Sequence, residues 1–150
     1  MDKKYYFDFK TSQEIIKRIG YIDSFKGKWQ SIQREENKYL KELQTEVLAF
    51  GPCHTAKFWK EHIKKTELNE FEVIEKLIGL LDSDDPTTQA VACFDLGEFS
   101  RLHPFSKMIL EKLDGKTKLM KMIEKDNSLV REHALVAIQK LMINNWQIIV

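Results

Sequence analysis

The chain has 150 residues and a net charge of +1, with 43% hydrophobic and 31% charged residues. That is enough apolar material for one packed domain with an appendage, and too much for a disordered chain. A charge this close to zero gives no field to hold nucleic acid or an anionic membrane, and no apolar run of about 18 residues is there to span one.

Six glycines and three prolines suit helices joined by short turns. The start, Met1 to Tyr6, lacks an apolar secretory core and reads as cytoplasmic. Thr11 and Glu14 form a capping box for a short helix through Ile15, Ile16 and Ile19, which Gly20 stops. A long polar helix follows over 28–50, with apolar Trp29, Ile32, Leu40, Leu43, Val47 and Phe50, ended by Gly51-Pro52. His54-Thr55 opens a helix carrying Phe58, Trp59 and Ile63.

Asn69 is placed to cap a helix whose stripe is Phe71, Ile74, Leu77, Ile78 and Leu81. After the acidic turn Asp82-Ser83-Asp84-Asp85, Asp85 as N-cap and Pro86 at the first helical position open a helix to about Leu102. Pro104 starts a shorter helix through Met108, Ile109 and Leu113, closed by Asp114-Gly115. A helix over 116–125 buries Leu119, Met122 and Ile123. Asn127 or Ser128 caps the last one, with Ala134, Ile138, Leu141 and Met142 facing inward. The expected core includes Leu77, Phe94, Ile138 and Leu141.

The expected fold class is all-α, an armadillo/HEAT-like helical repeat forming a short right-handed solenoid. A shift of 42 residues places Leu77, Ile78 and Leu81 on Leu119, Met120 and Ile123. It places Asp84-Asp85-Pro86 on Asp126-Asn127-Ser128, and Ala92, Phe94, Leu96 and Phe99 on Ala134, Val136, Ile138 and Leu141. Helical repeats of about 40–47 residues have this period, and each pair needs a neighbour to bury its apolar face.

Candidate chemistry is sparse. Asp95 and Glu98 sit one helical turn apart, and an acid–base pair would have that spacing. With no nucleophile or glycine-rich loop beside them, a Glu98–Arg101 ion pair and a hydrogen-bonding Asp95 between repeats is the simpler account. Gly97 lies inside a helix, where glycine costs about 1 kcal/mol against alanine, so a close helix–helix approach is expected there. Cys53 and Cys93 make no disulfide framework. Cys53-His54 lacks a second ligand pair at zinc-finger spacing, and Cys53 reads as a plain loop thiol and Cys93 as a buried one. The four histidines are scattered. Trp29, Trp59 and Trp146 are either core anchors or, if exposed, marks of a binding surface. Lys57, Lys60, Lys64 and Lys65, and again Lys116, Lys118, Lys121 and Lys125, are solvated faces or contacts for an acidic partner. No phosphate-cradling G-x-x-x-x-G-K-[ST] occurs. No catalytic residue, cofactor site or metal site is expected.

Several blocks occur in order: Asp95-Leu96-Gly97-Glu98-Phe99-Ser100-Arg101-Leu102-His103-Pro104, then Gly115-Lys116, Val130-Arg131-Glu132-His133-Ala134-Leu135, and Ala137-Ile138-Gln139-Lys140-Leu141-Met142 with Asn145-Trp146. Upstream stands Phe50-Gly51-Pro52-Cys53-His54-Thr55-Ala56-Lys57-Phe58-Trp59-Lys60-Glu61. Together they resemble the C-terminal domain of the H subunit of the vacuolar-type proton-pumping ATPase (V-ATPase), whose opening motif is W-S-P-x-H-x-x-x-F-W-x-E. Phe50 and Gly51 depart from that motif's first two positions.

The resemblance divides the chain into residues 1–37, an N-terminal helical extension or linker, and 38–150, a helical-repeat domain like the C-terminal domain of the H subunit. It implies a large N-terminal repeat domain ahead of this module, so the sequence is either an excised domain or a separate short protein. It implies a non-catalytic regulatory subunit, cytoplasmic and peripheral on the cytosolic face of endomembranes such as the vacuole and acidic organelles. That subunit would bridge stator and catalytic sector and restrain ATP hydrolysis when the sector is released. The implied partners are the stator stalk, catalytic-sector and rotor subunits and the large membrane-sector stator subunit, with no nucleic acid and no membrane insertion. The alternative is a stand-alone helical-repeat scaffold or adaptor. By position, Asp82 to Thr87 matches the family's loop that reaches toward the rotor. The candidate contacts are therefore Asp82, Ser83, Asp84 and Asp85, with Lys118, Lys121 and Lys125. Asp95, Gly97, Glu98, Arg101, Trp59 and Trp146 form the structural motif.

Overall fold

A computed structural model describes residues 22–149, with side chains described over 30–143. The expected Thr11–Gly20 helix and the side chains of Trp29 and Trp146 lie outside these ranges. By packing, the chain divides into residues 1–37 and 38–150. Of the first unit, the described part is helical from Ile22 onward.

Every regular element among the described residues is helical. The order is α1 (Ile22–Thr45), α2 (Ala56–His62), a 3-10 turn (Ile63–Glu67), α3 (Glu72–Leu80), α4 (Pro86–Leu102), α5 (Ser106–Lys112), α6 (Gly115–Met122) and α7 (Ser128–Ile149).

Helix α4 is the axis of the second unit. Its residues 90–93 and 95–100 are all buried. A helix buried on all sides needs apolar or internally satisfied residues all round. It packs against α2, α3, α5 and, most extensively, α7. Asp85 starts it as expected: its carboxylate accepts from the Thr88 N–H at 3.2 Å, and Pro86 occupies the first turn. Asn127 opens α7 in the same manner, accepting from the N–H groups of Leu129 and Val130 at 3.0 and 3.2 Å.

Other ends differ from the sequence expectation. Helix α1 stops at Thr45, five residues before Phe50. The Thr45 hydroxyl donates to the Glu42 carbonyl at 2.6 Å and accepts from the Val47 N–H at 3.3 Å, so a side chain competes with the helical ladder. Glu46 then turns left-handed, with φ 61°. Val47 and Phe50 are therefore exposed loop residues, while Leu48 between them is buried.

Asn69 does not cap α3. It donates to the Glu72 carboxylate, and Asn69, Glu70 and Phe71 all take left-handed backbone before the helix starts. Helix α5 starts two residues after Pro104 and leaves Met108 exposed. At its far end Asp114 makes the left-handed turn, and Gly115 begins α6 instead of closing α5. A Cβ on Gly115 would lie 2.7 Å from Ile78 Cδ1, so a larger residue there would have to displace the tips of Ile78 and Leu110.

Leu77 and Leu141 are core. Phe94 and Ile138 are only half-buried; Phe94 lies at the edge of the α4–α7 contact, against Phe50, His133 and Lys140. Met142, at 61% exposure, points outward and not inward.

Candidate functional site

Asp95 is the most heavily engaged polar group of the domain. Its side chain is fully buried on α4, and three distant donors converge on it. Tyr39 of α1 donates its hydroxyl at 3.0 Å. Trp59 of α2 donates its indole N–H at 3.0 Å. His54, in the segment between α1 and α2, places Nδ1 2.8 Å from one carboxylate oxygen and 3.0 Å from the other. The opposite ring nitrogen of His54 lies 2.9 Å from Glu42 Oε1, and the same oxygen accepts the Ala49 N–H at 3.0 Å. One buried carboxylate thus joins α1, the loop, α2 and α4.

The protonation of this joint follows from its geometry. Both Asp95 oxygens already accept hydrogen bonds, and the Trp59 N–H can only donate. Both His54 nitrogens face carboxylate oxygens, which suits an imidazolium with two donors. Burial works against a charged ring, but the hydrogen bond and charge of Asp95, with those of Glu42, outweigh it and raise the His54 pKa. Burial likewise pushes the Asp95 carboxyl upward, opposed by His54, Tyr39 and Trp59. With both oxygens occupied, the proton of the pair sits on His54. Burial, then the neighbouring Asp95 charge, holds Tyr39 well above its ordinary value, so it stays a neutral donor.

Glu98, one turn further along α4, belongs to a different set. Arg101 grips it with Nε at 3.0 Å and a terminal nitrogen at 2.7 Å, and Lys140 of α7 reaches its other oxygen at 3.0 Å. Lys140 also lies over the Phe94 ring, 5.5 Å from its centroid. His103 has a third set: Nδ1 accepts the Phe105 N–H at 3.1 Å, so Nε2 carries the hydrogen offered to Glu67 at 2.9 Å. In these contacts Asp95, Glu98 and His103 each hold a different set of partners. Gly97 stands where α4 meets α7; a Cβ there would lie 3.1 Å from Ala137 Cα and 3.2 Å from its Cβ.

The acidic turn holds a fixed shape. Ser83 Oγ accepts the Asp85 N–H at 3.1 Å, and Gln89 donates to the carbonyls of Leu81 and Ser83 at 3.2 and 2.7 Å. Asp85 is used by the cap, and its hydrogen bond from the Thr88 hydroxyl lowers its pKa. Asp82 is exposed but bridges to Lys118 of α6 at 2.7 Å. Two of the candidate contacts therefore neutralise each other. Asp84, Lys121 and Lys125 are exposed. Asp82 and Ser83 also border a groove of about 630 Å³ lined by Glu46, Glu72, Glu75, Lys76, Gly79 and Leu80.

Sequence reasoning passed over His54, Tyr39 and Glu42 as site residues. A signal was there: His54 and Trp59 occupy the histidine and second tryptophan of the W-S-P-x-H-x-x-x-F-W-x-E pattern, five residues apart. Tyr39 and Glu42 had none, since their partners lie on other elements.

Capped helices, a buried polar joint and a rigid charged turn define an all-helical domain whose ionisable groups are used to fasten helices together. Residues 34–146 match the family described as the H subunit of the V-ATPase. The chain is 39% identical over 113 residues to the second of two probable V-type proton ATPase H subunits of Caenorhabditis elegans, covering 74% of this chain and 24% of that protein. It is 38% identical over 113 residues to the V-type proton ATPase H subunit of Drosophila melanogaster, with 74% and 24% covered. A 34% match to the first probable H subunit of Caenorhabditis elegans covers 91% of this chain, which takes it upstream of Lys38, and 31% of that protein. The chain belongs to the V-ATPase H-subunit family. It spans 24% to 31% of the length of these relatives. No described helix is long and apolar enough to cross a membrane.

Proposed function

We propose that residues 38–150 act as the C-terminal, non-catalytic regulatory domain of a V-type proton-pumping ATPase, with residues 1–37 as an N-terminal extension or linker. The observation that carries this reading is the family match over residues 34–146. The domain bridges stator and catalytic sector and restrains ATP hydrolysis when that sector is released. It works with other subunits of the pump on the cytosolic face of acidic endomembranes and needs no cofactor of its own. A body that blocks rotation has to be stiff, and the Asp95 joint and the Gly97 contact supply stiffness.

The domain is read as a short right-handed armadillo/HEAT-like solenoid with two copies of one helix pair, α3–α4 and α6–α7. Leu77 and Leu119 are both buried, as are Ala92 and Ala134, and Phe99 and Leu141. Asp85 and Asn127 cap the second helix of each pair. Met120 and Val136, exposed where their counterparts Ile78 and Phe94 are covered or half-covered, are where the copies diverge.

The turn at 82–85 and the acidic groove beside it would receive a basic element of the rotor, and Lys121 and Lys125 an acidic one. Asp84→Ser is the cleanest test, since it leaves the Asp85 cap and the Asp82–Lys118 bridge in place. The expected result is an unchanged thermal midpoint, with restraint of ATP hydrolysis by the released catalytic sector weakened about threefold or more at low salt. Unchanged restraint would move the contact to Lys121 and Lys125. A chain that does not bind the sector at all would favour a stand-alone scaffold.

A further inference from the structure

The buried joint and the acidic turn are not independent. Glu42 Oε1 accepts from His54 and also from the Ala49 N–H. The next amide back, Leu48, donates at 3.0 Å to the Thr88 hydroxyl oxygen, which itself donates to Asp85 at 2.6 Å. A continuous path therefore runs from His54 through Glu42 and residues 48–49 to Thr88 and the N-cap of α4. We propose that His54 is a proton-operated latch: its imidazolium, clamped between Glu42 and Asp95, fixes the 46–50 segment and through it the posture of the turn at 82–85.

A neutral imidazole has one N–H and cannot donate to both carboxylates. Asp95 is fully buried and also held by Tyr39 and Trp59, so the remaining N–H stays with it. Glu42 has 26% of its side chain exposed and is the partner free to swing into water. When it leaves, the Ala49 N–H loses its acceptor and the Leu48–Thr88 contact loses its support. The groups facing His54 are Tyr39 and Glu42 from α1 and Asp95 from α4; α2 sends the uncharged Trp59 indole to the same Asp95 carboxylate. The net negative surroundings favour the proton, and the raised His54 pKa agrees with this. The inference concerns the chain alone; only the meaning of a loosened turn depends on the proposed regulatory role.

The test is NMR on the full chain. The His54 ring resonances are followed from about pH 6 to about pH 10, together with the amides of Leu48, Ala49, Asp84 and Asp85. The four amides should shift with the His54 midpoint, and exchange protection at Leu48 and Ala49, corrected for the intrinsic rate, should fall about tenfold or more across it. Protection at Val91 in the core should stay constant. In Glu42→Gln the His54 midpoint should drop and the amide shifts should follow it. Amides that ignore the His54 midpoint, or a midpoint unmoved in Glu42→Gln, would overturn the latch. If Glu42→Gln does not fold, the exchange measurement on the unaltered chain decides alone.

Discussion

Asp95 gathers three donors at a fully buried carboxylate, so removing its charge leaves the His54 cation with only the partly exposed Glu42 of its two carboxylates, and two donors poorly matched. Breaking a buried ion pair on one side typically costs about 3–5 kcal/mol. Asp95→Asn, nearly the same shape, is expected to fall in that range by urea denaturation, whereas an effect below about 1 kcal/mol would mean the joint is wetter than its burial indicates. His54 gives the pH dependence its sign. Its folded pKa is raised, so its stabilising contribution is complete below the unfolded value of about 6.5 and is lost as pH rises through the folded value. Stability should decline over that alkaline window, and this part of the slope should vanish in His54→Gln. Gly97→Ala tests the contact with α7. Alanine gains about 1 kcal/mol of helix propensity, but its Cβ meets the backbone of Ala137, and overpacking costs about 1–3 kcal/mol. The expected outcome is a net loss of roughly 1 kcal/mol, read as a lower denaturation midpoint.

Among the elements, α4 contrasts two phenylalanines. Phe99 is wholly buried, and truncating it to alanine should cost about 3–5 kcal/mol. Phe94 is half-buried under Phe50, His133 and Lys140, and the same change there should cost no more than about 1–2 kcal/mol. Equal losses in the two variants would show that Phe94 is covered as fully as Phe99. The positions of helix starts were legible where a cap is local: Thr55, Asp85 and Asn127 each accept from an amide two or three residues ahead. The stop of α1 at Thr45 was not. It depends on a hydroxyl choosing backbone partners over the helix and on Leu48 finding a buried place beside Thr88, forty residues away.

At the scale of the molecule, both described cysteines are buried, and burial pushes the Cys93 thiol up to about 12. A thiol held as S–H inside the core is a poor nucleophile. Modification of Cys93 by a thiol reagent should therefore follow the rate of global opening and accelerate together with loss of helical circular dichroism in urea. Fast labelling of Cys93 under native conditions would show that α4 is not a rigid axis. The two-unit division also belongs to this scale: the family match begins at residue 34, close to the boundary at Lys38, while one relative aligns further upstream.

Composition and 3.6-residue periodicity were sufficient for the all-helical class, because a helix is closed by bonds within a few residues and its caps and stripes are written in neighbouring positions. The ordered blocks from Asp95 to Trp146 were sufficient for the family, since order and spacing survive in the chain itself. The tertiary structure alone decided which apolar stripes are covered, and Met142 and Phe94 are more exposed than their periodicity implied. It alone also decided what the polar residues do. Asp95 meets Tyr39, His54 and Trp59 across separations of 56, 41 and 36 residues, and Asp82 meets Lys118 across 36. Periodicity records the face on which a side chain stands. The group it meets depends on how the helices cross, and that crossing is set by packing around α4, where glycine at 97 lets α7 come close.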